Sequence, residues 1–177
     1  MDSINKNQQE DNRDDLMSSE AVEKVKEIIK KANSCFFCTA LDSEHVPTRP
    51  MSVQRVDDDG SIWFLSASDS YKNKEIAANS DVQLYFQGSA HSDFLELYGN
   101  ASIVRDRSII HELWGPLLKT WFTEGKDDPR ITALKFEPVE GYYWDNKHGN
   151  AIAGVKIMIG AAIGKTLDDS IEGTLRL

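Results

Sequence analysis

No stretch of this 177-residue chain is long and apolar enough to span a bilayer. The longest candidate, residues 151–163, is interrupted by Gly154, Lys156 and Gly160, whereas a spanning helix needs about 20 apolar residues. Residues 1–20 lack the apolar core of a secretory leader. They carry six acids (Asp2, Glu10, Asp11, Asp14, Asp15, Glu20) against Lys6 and Arg13, so a cytoplasmic protein is expected. Positive charge is scarce as well. Lys and Arg number 20 and Asp and Glu 29, for a net charge of −9, which repels nucleic-acid backbones and anionic membranes. Neither is expected as a partner. Cysteine is limited to Cys35 and Cys38, a C-x-x-C spacing that suits a redox pair or half a metal site. On a strand, however, residues three apart face opposite sides, so the thiols should diverge and behave as small buried hydrophobes. The histidines at 45, 91, 111 and 148 are scattered. No metal site is expected, and no Ser/His/Asp arrangement assigns a catalytic residue.

What the chain does have suits one domain with a real core: 40 % apolar and 28 % charged residues. Residues 1–17 read as a disordered acidic arm. Ser18 or Ser19 can cap a first helix, with Val22, Val25, Ile28 and Ile29 at helical spacing. Strands are expected at 35–41, 48–56, 61–66, 82–87 and 93–104, with Asp57-Asp58-Asp59-Gly60 as a hairpin turn. A helix over 105–122 should kink or break at Gly115-Pro116 and carry Trp114 and Trp121 on one face. Strands at 131–138 and 140–144 follow. After 146, a Gly-interrupted helix over 149–164 and a terminal edge strand at 172–177 are expected. The division is therefore 1–17 arm, 18–146 barrel or sandwich domain, and 147–177 C-terminal extension. Six or seven strands in meanders with helical insertions indicate a mainly β, α+β architecture. Periodicity alone does not separate a barrel from a sandwich.

One strand and one loop concentrate the chemistry. The strand Thr48-Arg49-Pro50-Met51-Ser52-Val53 precedes the loop Ser66-Ala67-Ser68-Asp69-Ser70-Tyr71-Lys72, which runs into a short helix over 73–79. Arg, hydroxyls, Lys and a helix N-terminus together suit a phosphate monoester. Backbone N–H groups and the helix dipole favour an anion, Arg grips it in a fork, and Lys adds a point charge. The plainer alternative is that Ser70 is only an N-cap and that Lys72, Lys74 and Glu75 form a solvated helix face.

The order of the segments carries a family resemblance. An R-P-M strand (Arg49, Pro50, Met51), a Gly turn (Gly60), and the strand Ile62-Trp63-Phe64-Leu65-Ser66 are followed by a helix start with Ser70, Lys72, Glu75 and Ile76. The strand Val82-Gln83-Leu84-Tyr85-Phe86 comes next. Over roughly residues 20–146 this resembles the flavin-binding split β-barrel family that includes pyridoxamine 5′-phosphate oxidase, in its general stress protein 26-like branch.

The resemblance implies an antiparallel split barrel and a homodimer binding flavin mononucleotide (FMN) at the subunit interface. By position, Arg49 and Lys72 would meet the phosphate, with Ser66 and Ser70 adding hydroxyls. Pro50, Met51 and Ser52 would lie along the isoalloxazine ring, Pro50 through its carbonyl alone. Trp144 would cover the flavin of the other subunit, and Trp114 is a further candidate. Where oxidase relatives commonly have Arg-Lys this chain has Tyr71-Lys72, which leaves FAD and the deazaflavin F420 open as alternatives. It also lacks the C-terminal Arg-x-His segment of true pyridoxamine-phosphate oxidases. A flavin-dependent oxidoreductase of unidentified substrate is the leading expectation, and a non-catalytic flavin-sequestering stress protein is its rival.

Overall fold

The computed structural model describes residues 12–149, 153, 156, 158 and 169–177. The chain runs β1 (Leu16–Met17), α1 (Ser19–Ala32), β2 (Ser34–Cys38), β3 (Thr48–Ser52), β4 (Arg55–Val56), β5 (Ile62–Ala67) and α2 (Tyr71–Ala78). It continues through β6 (Asp81–Gln87), β7 (Phe94–Val104), α3 (Arg107–Leu113), β8 (Ile131–Asn146) and β9 (Ser170–Arg176). Among the described residues these strands form one nine-stranded sheet, more than the six or seven expected because β1 and β4 are two-residue pieces.

Strand β8 organises the sheet. One edge pairs with β7 along almost its whole length; the other pairs with β5 over 131–136 and with β9 over 140–146. The path then continues from β7 through β6 and β2 to β3. Two residues beyond β3 the chain enters β4, hydrogen-bonded to β5 on the far side. The sheet thus curls back on itself and is split where β8 changes partner. The interior is filled by Phe37, Phe64, Leu84, Leu97, Leu134 and Phe136, and α1 lays Ala21, Val25, Ile28 and Ile29 against it. Phe37 and Phe64 meet edge-to-face at 5.2 Å. A second cluster forms outside β5 and β8, where Trp63, Leu65 and Ala133 meet Ile110, Leu113 and Phe122.

Several sequence expectations change. The strands expected at 131–138 and 140–144 are one strand of 16 residues. Pro138 is tolerated because it lies opposite Gly99, where the β7–β8 register shifts; a Cβ at Gly99 would collide with the Glu137 carbonyl. A missing side chain and a bulge together absorb a proline that would otherwise end the ladder. The long helix stops at Leu113, since Gly115 before Pro116 is extended (ψ 151°). Trp114 folds onto Phe122, with centroids 6.3 Å apart, while Trp121 is exposed, so the two do not share a helix face. The expected strand 48–56 breaks at Val53 and Gln54. Cys35 enters the core and Cys38 turns the other way onto the Thr48 hydroxyl at 3.3 Å; burial pushes the Cys35 thiol pKa up.

Residues 12–17, expected within a disordered arm, are held against the sheet. Asp14 N–H donates to the Glu172 carbonyl at 2.9 Å, Ser18 N–H to Arg176 at 2.8 Å, and β1 pairs in parallel with β9. β9 is therefore not the edge of the sheet, and Leu175 is wholly buried. Residues 1–11 and most of the expected helix over 149–164 lie outside the described residues, although Ala153, Lys156 and Met158 are helical. Among the described residues no helix is long and apolar enough to cross a membrane.

Gly173 allows segment 12–17 to lie on β9, because a Cβ there would run into the Asp14 carbonyl. Gly173→Ala should therefore destabilise the protein by about 1–3 kcal/mol, the usual cost of overpacking, in urea unfolding. An unchanged midpoint would contradict this close approach.

Candidate functional site

Strand alternation divides β3 between two environments. Arg49 and Met51 are half-buried, whereas Thr48, Pro50 and Ser52 are exposed. Arg49 reaches across the barrel mouth to α2. Its Nη1 donates to Thr39 Oγ1 at 2.8 Å, and both terminal nitrogens donate to Glu75 Oε2 at 2.9 Å. Thr39, fully buried, also donates to that carboxylate at 2.5 Å.

Beside this pair α2 begins. Ser70 is its N-cap and accepts from the Asn73 N–H at 3.4 Å. A directional relay fixes the neighbouring groups. Lys72 Nζ donates to Ser66 Oγ at 2.9 Å, which donates to Asn73 Oδ1 at 2.8 Å. Asn73 Nδ2 donates to Thr132 Oγ1 at 2.8 Å, and that hydroxyl closes the loop onto the Ser66 carbonyl at 3.1 Å. Ser66, Asn73 and Thr132 are buried. No carboxylate pairs with Lys72 among the described residues. Desolvation lowers its pKa, the Arg49 charge lowers it further, and Glu75 opposes the shift. The structure thus assembles two cations, two serine hydroxyls and a helix start, an arrangement able to hold an anion.

The exposed side of β3 opens on a second feature. Pro50 lines a groove of about 440 Å³ together with Phe36, Tyr85, Phe94, Glu96 and Trp144. Pro50, Phe36, Tyr85 and Glu96 lie in one cross-strand row over β3, β2, β6 and β7. Trp144 packs against Tyr142, with centroids 4.6 Å apart, and stays 41 % exposed. The volume falls within the usual range for cofactor pockets, roughly 300–1,000 Å³. The far edge of β3 is unpaired among the described residues, which leaves main-chain groups available.

Of the sequence candidates, Arg49, Ser66, Ser70 and Lys72 come together, and Pro50 and Trp144 share the groove. Met51 sends its side chain toward the core, because period-two alternation puts it on the Arg49 side. Only its backbone could serve a ring lying beside Pro50. Trp114 joins neither place; it packs in the outer cluster with Phe122. Sequence reasoning missed Thr39, Asn73 and Thr132, and it read Glu75 as part of the helix-start pattern or of a solvated face, not as the partner of Arg49. The one available signal was Glu75 three residues after Lys72, on the same side of the helix.

The sequence profile of the family described as Pyridoxamine 5'-phosphate oxidase like matches residues 20–168. The chain belongs to this family. A crystal structure named for general stress protein 26, from Jannaschia sp. CCS1, superposes with a TM-score of 0.73 at 24 % identity, covering 88 % of this chain and 97 % of that one. It supports the split-barrel fold. The general stress FMN/FAD binding protein of Xanthomonas citri matches at a TM-score of 0.58 and 25 % identity, over 67 % of this chain and 84 % of that one. Protein bli-3 of Neurospora crassa is 25 % identical over 123 residues, 63 % of this chain and 59 % of that protein. The match therefore spans less than two thirds of this curated relative.

In this family member the desolvated Lys72 carries a stability cost. Its folded pKa lies below its ordinary value of 10.5, so the folded state holds fewer protons between the two values. The cost is complete below the folded pKa and is relieved as pH rises from there to the ordinary value. In ligand-free protein, Lys72→Met should raise the thermal midpoint at pH 7, and the gain should shrink toward pH 10.5. A midpoint at pH 7 no higher than that of the unmodified protein would contradict the reading of Lys72 as an uncompensated cation.

Proposed function

We propose that this chain is a flavin-nucleotide-binding protein of the general stress type that acts as a homodimeric oxidoreductase on a substrate still to be identified. The observation that carries this reading is Lys72, a half-buried cation beside Arg49 with no carboxylate of its own among the described residues. Retaining a desolvated charge is costly unless an anion meets it, and a cofactor phosphate supplies that anion. The residues present fit such a group. Arg49 and Lys72, with Ser66 and Ser70, would hold the phosphate, and Pro50 and Ser52 on the other side of β3 would offer main-chain oxygens to the ring.

The groove suits a flat ring, since Phe36, Tyr85 and Trp144 provide apolar walls and exclude water. Phe36, Tyr85, Tyr98 and Trp144 leave an aromatic surface on the sheet, a face suited to a second copy of the chain. The Xanthomonas citri relative is named for FMN and FAD binding, which agrees with this class of ligand. A bound flavin supplies hydride and electron exchange, while the protein contributes placement and electrostatics. The rival reading, a protein that sequesters flavin without turnover, is favoured by the absence of an Arg-x-His segment after Trp144.

A visible spectrum of the purified protein, with titration of the apo form by riboflavin, FMN, FAD and F420, tests the class of ligand. Stoichiometric binding is expected, and binding of none would overturn the reading. Combined Arg49→Ala and Lys72→Ala should weaken the binding of a phosphorylated flavin by roughly 3 kcal/mol or more, given the worth of charge-assisted hydrogen bonds. Riboflavin affinity should remain. Reduction of bound flavin by NADH or NADPH, with reoxidation by an added acceptor, separates the oxidoreductase from the sequestering protein, and sedimentation tests the dimer.

A further inference from the structure

We infer that Thr39 and Glu75 are positioning residues for the anion subsite. They hold one end of the Arg49 guanidinium and leave its lateral fork, Nε with Nη2, to a phosphate. The inference rests on the flavin reading above and assigns two residues which that reading does not use.

A guanidinium carries five N–H donors in a fixed plane. In Arg49 the end between the two terminal nitrogens is taken. Nη1 and Nη2 both donate to a single oxygen, Glu75 Oε2, at 2.9 Å, and Nη1 also donates to Thr39 Oγ1 at 2.8 Å. Thr39 donates its own hydroxyl hydrogen to the same carboxylate oxygen at 2.5 Å. The three side chains thus close a hydrogen-bonded ring. Among the described residues no acceptor meets the Nε–H or the remaining hydrogen of Nη2. Those two donors lie side by side and form the edge that takes two oxygens of a phosphate at once.

The ring also joins the elements that carry the subsite. Thr39 follows β2, is fully buried, and is held by its backbone N–H on the Pro47 carbonyl at 3.2 Å. Arg49 stands on β3, and Glu75 stands on α2 in the turn after Lys72 and the N-cap Ser70. Tying Glu75 to Arg49 therefore fixes the helix start against the strand, and the cation on each is placed before a ligand arrives. A long side chain placed in advance has less rotamer freedom to lose on binding. The negative charge of Glu75 opposes a phosphate, while its place in the ring favours one. Thr39 separates the two effects, because changing its hydroxyl alters no charge.

The test is Thr39→Val in the full chain, with the apo-protein titrated by FMN and by riboflavin and followed by flavin fluorescence. FMN affinity should fall roughly fivefold or more, the scale of one hydrogen bond, with riboflavin affinity unchanged. Thr39→Ser, which keeps the hydroxyl, should retain FMN affinity. In an Arg49→Ala background, Thr39→Val should weaken FMN no further, since the group it positions is gone. Unchanged FMN affinity in Thr39→Val, an equal loss for FMN and riboflavin, or the full loss repeated in the Arg49→Ala background would each overturn the inference while leaving the flavin reading in place. Binding of neither flavin by the unmodified protein would overturn both.

Should Thr39→Val fail to fold, Arg49→Lys decides. Lysine keeps the positive charge and lacks the planar fork. FMN should weaken by roughly tenfold or more relative to riboflavin, the scale of a lost charge-assisted pair. FMN bound as tightly as by the unmodified protein would mean that the subsite needs a charge and no oriented edge, which overturns the inference.

Discussion

Strand β8 has to satisfy three neighbours, and that constraint shapes the rest of the molecule. Its 16 residues exceed what any one partner on its second edge can cover, so β5 takes the first part and β9 the last. Where β8 passes from one to the other the barrel splits. The chain before the split carries the Ser66–Thr132 pair, which anchors the polar relay under Lys72. The chain after it carries Trp144 into the aromatic groove. A continuous strand thus holds the anion cluster and the groove at fixed separation. The continuity itself depends on Gly99, whose lack of a side chain lets the backbone at Pro138 approach.

The anion cluster is built the other way round, by charge before packing. Arg49 and Lys72 are close enough for the first to depress the pKa of the second. Such proximity of like charges is unfavourable, and the structure moderates it only in part. Glu75 and Thr39 neutralise and fix Arg49, while Lys72 donates to the Ser66 hydroxyl and pairs with no carboxylate among the described residues. A buried polar network of this kind is rigid when all its members are satisfied. Ser66, Asn73 and Thr132 are satisfied by one another, which leaves the cation as the one group in the relay whose charge is uncompensated by the protein around it.

Much of this was legible in the sequence where a local rule decides the outcome. The Asp57–Gly60 turn, the N-cap Ser70, the break at Gly115-Pro116 and the divergence of Cys35 from Cys38 all follow from neighbours in the chain. Arg49, Ser66, Ser70 and Lys72 were legible as a group because an Arg strand, a Ser-rich loop and a helix start recur in a known order. The unbroken β8 was not, since Pro138 reads as a strand end until its partner Gly99 is known. The partnership of Glu75 with Arg49 was hidden too. It spans 26 residues and depends on how the barrel closes. Trp114 was misplaced for a related reason: helical spacing implied a face that the chain abandons after Leu113.

The two sides of β3 explain why an edge strand is a suitable place for the ligand proposed here. A central strand has both backbone edges paired, so it can present side chains but few main-chain groups. β3 pairs with β2 alone among the described residues, and Pro50, which has no N–H to donate, is tolerated at such an edge. Because alternate residues face opposite ways, Arg49 and Pro50 stand only one residue apart yet serve the anion cluster and the groove respectively. A ligand with a charged tail and a flat head can therefore bridge both by crossing the free edge. Unpaired edges are also where chains associate wrongly, and a ligand or a second subunit laid across β3 would cover this one.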